Sequence, residues 1–231
     1  MGKTHYLGPE ESGLANLVFS KNQGKKMVVF DIGVNRGLYI DLVKDRINTT
    51  VHGFEPIEHL FSSLTEKYLD YKNVILNQTP VSDTVKKTFF CEILDDIMDG
   101  CSSLVERPVF AQRYLKYNKY EVTTTSVDIY CSEKNIDYID LMKIDVEGAE
   151  LQVLKGCEKM LESGKIEVIQ FEYGDTFADG GSSLQELCDY TSQFGYYVNR
   201  FLGDRFEVIT EPEIHGISLI NNINLILKKN D

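Results

Sequence analysis

"VVFDIGVNRG", residues 28 to 37, runs three apolar residues into an aspartate and then into a turn that uses glycine twice. The apolar run reads as a buried strand, and a stretch of helical period follows from about Gly37. Gly33 permits a positive φ or the close approach of a ligand to the backbone, and Gly37 lets the helix pack tightly on the sheet. A helix N-terminus placed there offers free N–H groups and a partial positive charge, which suits a carboxylate or a phosphate.

The pattern of the turn narrows that choice. A dinucleotide site uses G-x-G-x-x-G to approach a pyrophosphate. Here the order is D-x-G-x-x-x-G, with one glycine fewer and Asp31 directly after the strand. An anionic pyrophosphate sits badly beside Asp31, whereas a ligand with an ammonium group as well as a carboxylate sits well. About twenty residues on, "GFEP" puts Glu55 at the end of a second strand, the place from which a carboxylate grips ribose hydroxyls. An amino acid at the first turn and a ribose at the second describe S-adenosylmethionine. The plainer alternative is that Asp31 caps the helix and Glu55 is solvated.

Outward from this stretch, short strands alternate with helices. Strands are expected at 27–30, 50–54, 73–77, 139–145, 166–173, 195–201 and 222–227, and helices over 57–69, 148–164 and about 183–194. In the helix at 148–164, Leu151, Leu154, Cys157 and Leu161 form one stripe, with Gly164 as its stop signal. This alternation points to an α/β fold, an open and mostly parallel central sheet with helices on both faces. Right-handed crossovers place the strand C-termini along one edge, where such sheets bind ligands. Residues 1–26 read as a flexible or helical N-terminal cap, and 27–231 as a single domain with an insertion at about 81–120. Within it, 81–93 reads as a hairpin or extra strands. Residues 95–120 show little periodicity, and "FAQRYLKYNKY" (110–120) is a candidate lid over an acceptor.

Composition bounds the partners. The chain has 231 residues, 42% of them hydrophobic, and can bury roughly 70% of its unfolded surface. Its formal net charge of −12 argues against nucleic acid or an anionic membrane as the main partner. Five cysteines without a C-x-x-C pair suggest a reducing compartment, and no apolar run approaches the ~20 residues of a membrane helix. A soluble, cytoplasmic chain without membrane insertion is the expectation.

"FDIGVNRGLY", "VHGFEPIEHLFSSL", "VTTTSVDIY" and "IDLMKIDVEGAELQVLKGC" resemble the successive motifs of FkbM-family methyltransferases, over about residues 27–173. "KIDVEGAE" followed by "VLKG" is the most specific block; Val34 stands where the family usually has Ala. The resemblance implies a Rossmann-like methyltransferase fold, S-adenosylmethionine as donor, and a hydroxyl acceptor on a sugar or natural product. Carried over, Asp31, Gly33, Asn35 and Gly37 line the methionine end and Glu55 the ribose. Ser82 and Asp83, in "PVSD", fall where the adenine contacts of this fold lie, with Asn77 nearby.

Methyl transfer to an alcohol calls for alignment and a positioned base, the latter contributing roughly 10²–10⁴-fold. Lys143, Asp145 and Glu147 alternate in "KIDVE", and Glu172 ends the next strand. Asp145 and Glu172 therefore come from neighbouring strands, and three readings stay open for them. One is a general base. Together they hold a divalent metal such as magnesium, or else Lys143 neutralises them in a structural ion pair. Asp145 is the first choice in either functional reading, with Lys143 and Glu172 beside it. Glu147 and Glu150 read as dipole-stabilising acids of the next helix. His52 and His59 read as structural, and Ser102 and Ser103 as turn residues or ligand contacts.

The leading expectation is an S-adenosylmethionine-dependent O-methyltransferase acting on a sugar, glycan or sugar-bearing metabolite. Its rivals are a non-catalytic domain that keeps the fold for ligand or partner binding, a nicotinamide-dependent dehydrogenase, and a nucleic-acid methyltransferase.

Overall fold

The computed structural model describes residues 9–94, 101–107, 116–210 and 223–229. Its strands are β1 (Met27–Ile32), β2 (Thr49–Phe54), β3 (Val74–Asn77), β4 (Lys87–Ile93), β5 (Tyr117–Thr123), β6 (Leu141–Ile144), β7 (Val168–Tyr173), β8 (Tyr196–Phe201), β9 (Phe206–Val208) and β10 (Ile223–Lys229). Eight of them form one sheet in the order β3-β2-β1-β6-β7-β10-β8-β9, and β4 and β5 pair apart. From β3 through β7 every pairing is parallel, and β10 runs antiparallel to both β7 and β8. The chain leaves β1 for β2 on one side and returns to β6 on the other. Such a reversal opens a crevice at the strand C-termini.

The helices are α1 (Pro9–Lys21), α2 (Leu38–Val43), α3 (Glu58–Lys67), α4 (Val127–Lys134), α5 (Glu150–Lys155), α6 (Glu158–Glu162), α7 (Asp175–Asp179) and α8 (Leu184–Ser192). They cover the sheet on both faces because the strands alternate two apolar sets. Phe30, Ile32, Met142 and Ile144 join Val153, Leu154, Leu161 and Leu187 in one core. Met27, Val29, Leu141, Val168 and Ile226 join Leu14, Ala15 and Val18 of α1, Ile40 and Val43 of α2 and Leu64 of α3 in the other. By the same alternation Asp31, Lys143, Asp145 and Glu172 fall on the α1 and α2 face. Among the described residues no helix is long and apolar enough to cross a membrane, and all five cysteines are unpaired.

Two expectations change. The helix expected over 148–164 is two, α5 and α6, divided at Gly156 and Cys157. A side chain at 156 would collide with the Ser82 carbonyl, so the chain comes too close to that turn for an unbroken helix. The Asp128 carboxylate then accepts the Lys159 and Met160 N–H groups at 2.8 and 3.1 Å and starts the second piece. The extra strand β4 finds its partner not in a local hairpin but in β5, in register Lys87↔Thr123 to Ile93↔Tyr117. Residues 117–120, expected to lack periodicity, are thus strand. Residues 110–115 of the candidate lid lie outside the described residues.

Candidate active site

β1 stops at Ile32 because the next residue must turn with φ +87, and Gly33 takes that conformation without strain. A Cβ there would overlap the Asp145 carbonyl oxygen, which fixes the turn after β1 against the end of β6. Asn35 follows with φ 51, a left-handed value that asparagine tolerates. Its N–H donates to Glu55 Oε2 at 2.8 Å, and the Ile57 N–H donates to Glu55 Oε1 at 2.9 Å. Glu55 thus ties the turns after β1 and β2 together. Burial pushes its carboxyl up to about 7, against the pull of the two amides.

Two cavities open at these turns, and they share Gly33, Asn35 and Asp145. One holds about 590 Å³, partly open to solvent, with Ile32, Phe54, Glu55, Ile57, Leu60 and Val81 in its wall. The other, about 770 Å³ and also open, has Glu11, Arg36, Tyr39, Lys143, Glu172 and Asn224 in its wall. The first is an apolar slot with two carboxylates, Glu55 and the shared Asp145, and the second a polar basin.

Lys143 is the organising cation of the basin. Its Nζ donates to Asp145 Oδ2 at 2.9 Å and lies 3.9 Å from Asp31 Oδ1. Burial works to lower its pKa, but Asp145 and Asp31 outweigh it and hold it above the ordinary lysine range. Asp31 itself is fully buried, and neither carboxylate oxygen has a hydrogen-bond partner. Burial pushes its carboxyl up to about 7, with Lys143 pulling the other way. Asp31 therefore sits beneath the basin rather than in its lining. Gly37, with φ +81, packs under Leu64 and Tyr68.

Ser82 and Asp83 stand outside the lining of both cavities. The Ser82 hydroxyl donates to Asp83 at 2.9 Å and Lys86 pairs with Asp83 at 2.6 Å, closing a local turn. Thr79, Pro80 and Val81 present themselves to the apolar slot instead. Asn77 donates to the Gly53 carbonyl at 3.1 Å. His52 is buried against Tyr130, whose hydroxyl is 2.9 Å from Nδ1, and burial drives its pKa down to about 4. His59 faces solvent, 3.4 Å from Glu92. Ser102 accepts the Ile93 N–H at 3.0 Å and lines the slot, while Ser103 donates to the Val146 carbonyl at 2.9 Å.

Two acids differ from their expected roles. Glu150 does begin α5, but its buried carboxylate accepts the Val146 and Gly148 N–H groups and shapes the turn after β6. Glu147 is not helical at all: it takes φ 57 in that turn, and Arg107 donates to it at 3.2 Å. Burial, then Asp145, push its carboxyl well above the ordinary range despite Arg107. Carboxylate oxygens of Asp145, Glu147 and Glu172 lie within 4.8 Å of one another. The alternation in "KIDVE" and the end of the next strand point to these three acids, although β6 stops at Ile144 and Glu147 lies in the turn beyond it. As a metal set the trio fits poorly: Asp145 already faces Lys143 and Glu147 already faces Arg107.

Sheet order, the reversed strand β10 and the crevice after β1 together define an α/β methyltransferase fold. Residues 31–198 match the Methyltransferase FkbM domain, and the chain belongs to that family. Among solved structures, a Streptococcus mutans protein assigned as a methyltransferase, in complex with SAH, is similar at TM-score 0.50 and 12% identity, over 98% of this chain and 100% of that one. A Clostridium thermocellum protein assigned as an rRNA methylase has TM-score 0.50 and 12% identity, over 97% and 100%. At such identity the likeness shows the fold alone. No curated protein sequence is significantly similar to the chain.

Proposed function

We propose that the chain is an S-adenosylmethionine-dependent O-methyltransferase whose acceptor is a hydroxyl of a sugar, glycan or sugar-bearing metabolite. The observation that carries this reading is the pair of cavities joined at Gly33, Asn35 and Asp145. The apolar slot suits a nucleoside: Glu55 keeps lone pairs for two ribose hydroxyls while its backbone donors hold it in place. The post-β1 turn, which lines both cavities at Gly33 and Asn35, suits an amino-acid end lying against the backbone. Bound there, S-adenosylmethionine supplies a methyl group already activated on a sulfonium.

The chain's own part is alignment and proton handling. Asp145 borders both cavities, so a hydroxyl held in the basin meets a carboxylate at the junction. Lys143 keeps that carboxylate oriented. Glu147 and Glu172, close behind, give the proton further acceptors. Polyols suit a wall made of carboxylates, an amide and a phenol. Three carboxylates stand against Arg36 and Lys143 in that wall, a balance that suits a neutral acceptor better than a phosphate-rich one; several structural neighbours carry rRNA-methylase names, so RNA enters the test as the rival acceptor. The test is transfer of label from methyl-tritiated S-adenosylmethionine to neutral oligosaccharides, nucleotide sugars and RNA in parallel. Alkali-stable label on a sugar supports the reading. Label on RNA alone, or none on any acceptor while S-adenosylhomocysteine binds, refutes the acceptor assignment.

A further inference from the structure

The family match begins at residue 31, yet the basin has a wall that comes from before it. Helix α1 lies on the sheet through Leu14, Ala15 and Val18, all buried, and its first turns bring Glu11 to the basin beside Tyr39 and Lys143. Helix α1 shares its core with α2, whose Tyr39 follows the turn after β1, whereas Glu172 stands on β7, two strands from β1. The basin therefore has two ends. One, with Glu11 and Tyr39, adjoins the turn after β1. The other, with Glu172, adjoins the carboxylate trio.

Tyr39 adds an independent observation. It is 2% exposed, it lines the basin, and its hydroxyl has no hydrogen-bond partner. Buried hydroxyls are normally paired, so one left open on a cavity wall marks a ligand atom. An amino-acid end needs an anion for its ammonium group. Asp31 is sealed beneath Lys143, and Asp145 stands at the junction with the slot, where the acceptor hydroxyl is placed. Glu11 is the carboxylate that reaches the basin at that end.

We propose that Glu11 and Tyr39 form the subsite for the amino-acid end of the cofactor, with Glu11 accepting from its ammonium group and Tyr39 hydrogen-bonding beside it. Helix α1 is on this account a part of the cofactor site rather than a cap. The inference rests on the cofactor reading above and is tested so that the two fail differently. The probes are S-adenosylhomocysteine and 5′-methylthioadenosine, which share the adenosine and the sulfur but differ in the amino-acid end. Binding of each is measured by calorimetry to the full chain as wild type, Glu11→Gln, Glu11→Asp and Tyr39→Phe.

Glu11→Gln is expected to weaken S-adenosylhomocysteine by roughly tenfold or more, the scale of a charged hydrogen bond, and to leave 5′-methylthioadenosine within about twofold. Glu11→Asp should recover part of the loss, and Tyr39→Phe should weaken the first probe by about threefold or more. Unchanged S-adenosylhomocysteine binding in Glu11→Gln overturns the subsite. So does an equal loss of both probes, which would mean that Glu11 acts through the fold. Wild type that binds 5′-methylthioadenosine but gains nothing from the amino-acid end overturns the subsite and leaves the nucleoside slot standing. Wild type that binds neither probe removes the cofactor reading and the subsite with it.

Discussion

Asp31→Asn should make the unliganded protein more stable at pH 8 while impairing its site. Asp31 is fully buried, both its oxygens lack hydrogen-bond partners, and Lys143 stands 3.9 Å away. Its carboxyl is raised from 3.8 to about 7, a difference that corresponds to about 4 kcal/mol of cost for the ionised form. Because the folded state holds this proton more tightly than the unfolded chain, stability is highest below the unfolded value. It falls as pH rises from about 4 to about 7, and the whole cost is present at pH 8. An asparagine carries no charge but leaves an unpaired amide, at about 1–3 kcal/mol. The net gain at pH 8 is then about 1–3 kcal/mol, or roughly 2–12 °C in Tm for a domain of this size. The assay is thermal melting of wild type and variant at pH 5 and pH 8, each with and without S-adenosylhomocysteine. The gain should shrink at pH 5, and the ligand-induced shift should fall because Lys143 loses one of its two carboxylates. A variant less stable than wild type at pH 8, or a gain that does not change with pH, refutes the reasoning.

Other substitutions probe the same geometry from different sides. Gly33→Ala puts a methyl group into the Asp145 carbonyl at φ +87, and should lose about 1–3 kcal/mol or more in denaturant unfolding, together with ligand binding. Arg107→Ala strands the buried Glu147 carboxylate and should destabilise by about 3–5 kcal/mol at pH 8. The loss should ease on acidification, because Glu147 is a raised carboxyl that then takes up its proton; a pH-independent loss would contradict the pairing. Asp145→Asn should lower kcat roughly 10²–10⁴-fold in the labelled-methyl assay, with S-adenosylhomocysteine affinity changed little. An unchanged kcat would dismiss Asp145 as the base.

The sheet was legible because its signals are local. Residues 27–30 are an apolar run, 141–144 are apolar apart from Lys143, and Gly33 and Gly37 announce their positive φ by being glycine. The link between Asn35 and Glu55 could be anticipated from the placement of an acid after a second strand. What stayed hidden depends on distant partners. β5 has the sequence YNKYEVT, whose strand character comes from pairing with β4 across the chain. The break at Gly156 comes from the Ser82 carbonyl, far away in sequence. Glu147 sits at a φ rare for its residue type, which no periodicity signals. Glu11 lies in a helix that sequence reading treats as a cap, and only the docking of Leu14 and Val18 brings it to the basin.

On the proposed function, the turn after β1 and the acid after β2 form one cofactor site. Calorimetric titration of the full chain with S-adenosylhomocysteine, wild type beside Glu55→Ala, tests it most directly. Saturable binding of one ligand per chain, lost or weakened at least about tenfold in the variant, is the predicted result. No heat with wild type at millimolar ligand, or the same isotherm in both proteins, would contradict it.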